Sequence, residues 1–243
     1  MKFTAVAFDL DGTLYPEYRL NLRILPFIIK EQRFLRALGS ARKLLRDYDR
    51  DNGGNPGYPP ELKVPSGGGF YDAQAAIMGK ILGEGAEIVR EKTERLIYRG
   101  WEPIFNKVKL FPHVRETLEA FRKAGIKMGI LSDFPLEIKL KNLNILDYWD
   151  VVLCSEMTGH LKPAPVPFLE LARRMGTPAG EILYVGNSAP YDAEGSRGAG
   201  MKSALVRPAW KSLFAAPGGE VPGGIPADFR FYDYRQLCDY VLN

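Results

Sequence analysis

Short apolar runs without internal alternation recur along the chain, and each ends in small or polar residues. Thr4 to Phe8 runs into Asp9, Lys127 to Leu131 into Ser132-Asp133, and Val151 to Cys154 into Ser155. Ile182 to Val185 runs into Gly186-Asn187, and Ser203 to Val206 into Arg207-Pro208. An unalternated run of about five residues is the pattern of a strand buried on both faces. Helical spacing separates the runs. Val114, Leu118 and Phe121 share a face that closes at Gly125, and Phe168, Leu169, Ala172 and Met175 share one that closes at Gly176. Alternating strand and helix predicts an α/β fold, a doubly wound parallel sheet whose ligands bind beyond the carboxyl ends of the strands.

The alternation breaks after the first run. Residues 16–108 offer no convincing strand. Pro26 to Tyr48, Asp72 to Leu82 and Ala86 to Trp101 read as helices, with a Gly- and Pro-rich loop over residues 52–69. The pattern predicts an inserted α-helical cap domain over 16–108 and a core formed by 1–15 and 109–243. The basic residues concentrate in this insertion. Over residues 19–50, Arg19, Arg23, Lys30, Arg33, Arg36, Arg42, Lys43, Arg46 and Arg50 face only Glu31, Asp47 and Asp49. Such a run is either a solvated helix face or a patch that steers an anionic substrate or partner.

Composition narrows the class. At 243 residues and 46% hydrophobic, the chain is neither disordered nor a disulfide mini-protein. A net charge of +4, from 33 Lys and Arg against 29 Asp and Glu, is too weak to argue for nucleic acid. Cys154 and Cys238 stand apart, without a CxxC or His/Cys cluster, and read as reduced thiols. No stretch approaches the roughly 18 apolar residues of a membrane span, and no leader is recognisable. A soluble, cytoplasmic protein is expected, its oligomeric state left open between monomer and homodimer.

The strongest chemical signal is Phe8-Asp9-Leu10-Asp11-Gly12-Thr13-Leu14 at the end of the first run. Two carboxylates spaced by two, aimed at one crevice, repel unless a cation or proton lies between them. A hard divalent cation such as Mg²⁺ suits that place. An aspartate there can attack phosphorus, while the second carboxyl protonates the leaving oxygen and later activates water.

These residues resemble the haloacid dehalogenase-like hydrolase superfamily, in its phosphatase branch. Its DxDx(T/V) motif is matched by Asp9-Leu10-Asp11-Gly12-Thr13, and its strand-ending Ser or Thr by Ser132-Asp133. Its later Lys, usually followed by Pro, is matched by Lys162-Pro163, and its GDSxxxD pattern by Gly186-Asn187-Ser188 through Asp192. The resemblance implies a Rossmann-like core and a helical cap inserted after the first strand. It also implies a Mg²⁺-dependent phosphatase acting on a small phosphate monoester. Asp9 is then the nucleophile and a metal ligand, and Asp11 the general acid/base whose carbonyl also reaches the metal. Ser132 and Lys162 bind the phosphoryl group, with Gly12, Asp133 and His160 as substrate or phosphate contacts. Asn187 and Asp192 complete the metal site.

Asn187 departs from the family's usual Asp, and three readings stay open. Asn187 ligates through its amide oxygen, Asp192 takes over as the main anionic ligand, or the metal site is degraded. Asp11 argues against dehalogenase chemistry, because those relatives lack an acid two residues after the nucleophile. The alternatives are a catalytically weak binding or regulatory protein on this scaffold, with residues 19–50 as its contact surface, and a sugar phosphomutase. His113 is expected to start a helix. Tyr58, Phe70 and Tyr71 flank the glycine-rich loop and read as solvent-facing, with the lining of a substrate pocket as the alternative. Gly67-Gly68-Gly69 and Gly83-Glu84-Gly85 follow no strand and are not phosphate loops.

Overall fold

In a computed structural model, the described residues are 2–53, 57–59, 62, 64, 68–100, 108–207 and 227–243, without the side chains of 18–24. Gly67, Trp101, the Pro217–Pro226 connection and the side chains of Arg19 and Arg23 lie outside the described residues.

Six strands form one parallel sheet: β1 (Ala5–Phe8), β2 (Lys127–Ser132), β3 (Val151–Cys154), β4 (Ile182–Gly186), β5 (Lys202–Val206) and β6 (Phe229–Phe231). Their spatial order is β3-β2-β1-β4-β5-β6. The chain winds outward from β1 to β3, then returns to β4 on the other side of β1. The strand order therefore reverses between β1 and β4, and the crevice of a doubly wound sheet opens beyond their carboxyl ends. Asp9 follows β1 and Asn187 follows β4, so both enter that crevice.

The unalternated runs are explained by burial on both faces. Val6 and Phe8 join one apolar cluster with Leu118, Phe121 and Tyr234, while Ala5 and Ala7 join another with Phe168, Leu171 and Tyr184. Each fully buried large side chain contributes about 1.5–3 kcal/mol. The covering helices include α5 (Val114–Lys123), α7 (Pro165–Met175) and α9 (Tyr234–Leu242). His113 stands at the N-cap of α5, as expected of a helix start. On α7, Leu169 departs from its expected place and is 48% exposed. Phe168, Leu171, Ala172 and Met175 define the buried stripe, and Leu169 is turned about a quarter revolution away from it.

Between β1 and β2 the described residues form helices: α1 (Glu17–Lys30), α2 (Gln32–Asp51), α3 (Phe70–Leu82) and α4 (Ala86–Thr93). They share a separate cluster that includes Phe34, Leu38, Leu45, Phe70, Met78 and Ile97. The helix expected from Pro26 starts instead at Glu17, carries Pro26 inside it and restarts at Gln32 after a break at Glu31. The helix expected to run to Trp101 ends at Thr93 and widens into a π turn through Tyr98. Phe70 is buried rather than solvent-facing, because it opens α3 with its ring against the insertion's core. Tyr58 and Tyr71 are half-buried. No helix of the described residues is long and apolar enough to cross a membrane, and both cysteines are free.

Candidate active site

The backbone N–H of Asp9 donates to the Val185 carbonyl at 2.8 Å, so Asp9 leaves the sheet still held by it. Its carboxylate is buried. Thr13 donates to Oδ2 at 2.7 Å and Lys162 to Oδ1 at 2.7 Å. The turn that returns Thr13 to Asp9 passes through Gly12 at φ +82°. A Cβ there would lie 2.0 Å from the Asn187 amide nitrogen, so glycine is what lets the two loops touch.

Lys162 also reaches Asp192 Oδ1 at 2.7 Å. Asp192 folds back onto its own loop, where Oδ2 accepts from the N–H groups of Asn187 at 3.1 Å and Ser188 at 2.9 Å. That fold-back depends on Gly186, since a Cβ there would stand 2.3–2.4 Å from the Asp192 side chain. Gly186→Ala is therefore expected to displace Asp192 and lower kcat/KM by about tenfold or more, a 1 Å misplacement being worth up to about a hundredfold. Steady-state kinetics beside a melting curve checks this, and unchanged kinetics would show that Asp192 need not hold this position.

Asp11 lies on the other flank. Lys139 donates to both of its carboxylate oxygens at 2.8 Å, Ser132 Oγ to Oδ2 at 3.2 Å, and the Tyr15 hydroxyl to Oδ1. The two carboxylates are thereby driven apart. Burial lifts Asp9 to about 7 against the pull of Lys162, with Asp192 and Asp11 adding to the rise. Burial acts on Asp11 in the same direction, but Lys139, Tyr15 and Ser132 outweigh it and hold Asp11 below the ordinary carboxylate range. Burial opposes the charge on Lys162, yet Asp192 and Asp9 keep its pKa well above the usual value.

Asp9, Asp11, Gly12, Ser132, Lys162, Asn187 and Asp192 thus converge on one crevice. Asp133 and His160 serve a different contact. Asp133 Oδ1 accepts from Ser155 Oγ at 2.5 Å and from the Lys162 N–H at 3.1 Å, and Oδ2 accepts from Arg46 at 2.8 Å. His160 Nδ1 is 3.1 Å from Asp49 of α2. Both residues join the sheet domain to the inserted helices.

Residues 3–200 match the family model of haloacid dehalogenase-like hydrolases. The chain belongs to that family. A ribulose-1,5-bisphosphate 5-phosphatase of Halopiger xanaduensis is 29% identical over 98% of this chain and 99% of its own. A phosphatase of the same superfamily from Thermococcus onnurineus superposes with a TM-score of 0.60 at 25% identity, covering 98% of both chains. A 2-haloacid dehalogenase from Pseudomonas syringae has a TM-score of 0.62 at 22% identity over 98% of both chains, a likeness of fold.

Several residues of this hydrolase's site escaped sequence reasoning. Lys139 sits on α6 (Glu137–Asn142), seven residues past Ser132 and in no motif. Thr13 lies inside the first motif, but its bond to Asp9 depends on the turn at Gly12. Arg42 and Arg46 belong to the basic run of α2, where two readings were open. Both turn inward. Arg42 bonds Glu156 and, at 2.8 Å, the Asp133 carbonyl, and Arg46 bonds Asp133 and, at 2.8 Å, the Lys162 carbonyl.

Proposed function

We propose that this hydrolase is a Mg²⁺-dependent phosphatase that cleaves a small, soluble phosphate monoester through an aspartyl-phosphate on Asp9. Residues 1–15 and 109–243 form the catalytic core in this reading, and 16–108 the cap. The observation that carries it is the placement of Asp9 between Lys162 and Thr13, with the second carboxyl of Asp11 on the neighbouring flank. The full-length likeness to a protein named as a ribulose-1,5-bisphosphate 5-phosphatase supports phosphate-ester chemistry.

The donor set fits Mg²⁺. Asp9, Asp192, the Asn187 amide and the Asp11 carbonyl all offer hard oxygen. The described residues hold no ready cluster of three or more His, Cys, Asp or Glu ligands. Mg²⁺ does not need one, since it keeps several waters and pairs one or two carboxylates with substrate phosphate. Three carboxylates face two lysines here, and Asp192 and Asp11 add to the rise that burial gives the Asp9 pKa. Asp9, Asp192, Asn187 and the Asp11 carbonyl would hold the ion, which supplies charge neutralisation and keeps Asp9 ionised.

The protein's own groups do the rest. Thr13 and Lys162 fix the two oxygens of Asp9, which attacks phosphorus as the ester P–O bond breaks. Asp11, ionised beside Lys139 before substrate arrives, takes up a proton as the anionic ester binds and passes it to the departing alcohol oxygen. It then takes a proton from the water that attacks the aspartyl-phosphate, which returns Asp9 and releases phosphate. Ser132 and Lys162 stabilise the charge on the transferring oxygens. The cap, seated on the core through Arg42 and Arg46, keeps bulk water from the intermediate.

Phosphate release from an aryl phosphate, with Mg²⁺ and with chelator, tests this reading. Release is expected only with Mg²⁺. The ion competes with the proton on Asp9, so its apparent affinity is expected to rise by up to about tenfold per pH unit below pH 7 and to level off above it. Equal release in chelator would overturn the metal requirement.

A further inference from the structure

A cavity of about 320 Å³ opens between the inserted helices and the sheet domain. Tyr71, Ile97 and Tyr98 wall it from the insertion, and Phe134, Ile138, Lys139 and Met157 from the core. We propose, resting on the phosphatase reading above, that this cavity receives an uncharged aromatic or aliphatic leaving group. The substrate is then the phosphate monoester of an apolar alcohol and carries no second anionic group.

The side on which the cavity opens is the first argument. The leaving oxygen takes its proton from Asp11, so the alcohol lies on the Asp11 flank of Asp9. Lys139 bonds both Asp11 oxygens at 2.8 Å and also lines the cavity. Phe134 ties the cavity wall to the same place, because its N–H donates to Ser132 Oγ at 3.3 Å. An alcohol leaving from Asp9 past Asp11 therefore enters this space.

The walls are the second argument. Three aromatic rings and the side chains of Ile97, Ile138 and Met157 favour an apolar guest by desolvation, and the volume is at the lower end of small-molecule sites, which span about 300–1,000 Å³. Charge is the third. Among the described lining residues the charged groups are Glu137, Lys139 and no others. Lys139 is engaged by Asp11, and Glu137 is an exposed anion. The nearby Arg42 is bound by Glu156 and Arg46 by Asp133. A second phosphate entering here meets a carboxylate and breaks an existing ion pair to gain a cation.

The test compares 2-phenylethyl phosphate, ethyl phosphate and ethane-1,2-diyl bisphosphate. The first two leave as alcohols of similar acidity, so their difference reports the cavity and not intrinsic reactivity. Phosphate release by the wild-type protein from none of the three would defeat the phosphatase reading. The cavity is read separately, by calorimetric binding to Asp9→Asn protein with Mg²⁺. There 2-phenylethyl phosphate is expected to bind about tenfold or more tighter than ethyl phosphate, the scale of one or more buried methylene groups. Adding Ile138→Asp or Met157→Glu, at wall positions 41% and 66% exposed, is expected to shrink that ratio. Equal affinity for the two esters, a bisphosphate that binds tightest, or a preference that survives both wall substitutions would overturn the proposal.

Discussion

Asp9→Asn is expected to lower kcat/KM by about 10⁴-fold or more, the scale seen when a catalytic nucleophile is removed, while the protein stays folded. An amide oxygen at this position cannot form the acyl-phosphate, yet asparagine keeps the shape that Thr13 and Lys162 hold. Burial raises the folded-state pKa of Asp9 to about 7 from an unfolded value near 3.8. The folded protein thus binds more protons than the unfolded chain between those values, and wild-type stability falls as pH rises through that window. Asparagine does not titrate. In chelator, the melting temperature of Asp9→Asn relative to wild type is therefore expected to increase from pH 4 to pH 7 and then stay level. Lost activity with a stability difference that ignores pH would mean that Asp9 is ionised throughout and that burial does not lift its pKa. Lost activity together with a collapsed fold would assign Asp9 a structural part.

The reach of sequence reasoning follows from how local each signal is. β1 and β4 were legible because a strand buried on both faces has no polar position to spare, as Val6 and Phe8 on one side and Ala5 and Ala7 on the other show. The crevice was legible because its residues stand at the ends of those runs, so order along the chain and position in the sheet coincide. Lys139 was not legible. Its contact with Asp11 spans 128 positions, and nothing in Glu137-Ile138-Lys139 marks it as different from a surface lysine. Arg42 and Arg46 failed for a related reason. The charge run on α2 carries no sign of which residues face the core, because their partners Glu156 and Asp133 come from beyond β2. Phe70 was misplaced because the glycines before it announce a loop, while its own burial is decided by the packing of α3 on α2.

Arg42→Met tests that long-range contact, and its expected effect on stability is large. Arg42 and Glu156 are both buried, and Arg42 also donates to the Asp133 carbonyl at 2.8 Å and lies over the Phe134 ring at 4.0 Å. Glu156 further accepts from the Tyr98 hydroxyl at 3.1 Å, and Tyr98 accepts from Gln74 at 3.2 Å. Burial already lifts Glu156 above the ordinary carboxylate range, although Arg42 and Tyr98 pull it down. Methionine fills much of the arginine's volume but leaves a carboxylate in a dry place. The expected loss is about 3–5 kcal/mol, which at about 2–4 °C per kcal/mol for a chain near this size lowers the melting temperature by roughly 10 °C. Arg42→Met combined with Glu156→Leu removes both charges and is expected to recover most of that loss, since a well-packed apolar pair is often no less stable than a buried ion pair. The double variant also separates stability from function. Arg42 bridges α2 to the segment after β2, so the stable double variant is expected to retain its fold and still turn over more slowly, with a cap no longer seated by that bridge. If the two losses simply add, the residues do not act as a pair. If the stable double variant works at the wild-type rate, the bridge serves folding alone and Arg46 with Asp133 suffices to seat the cap.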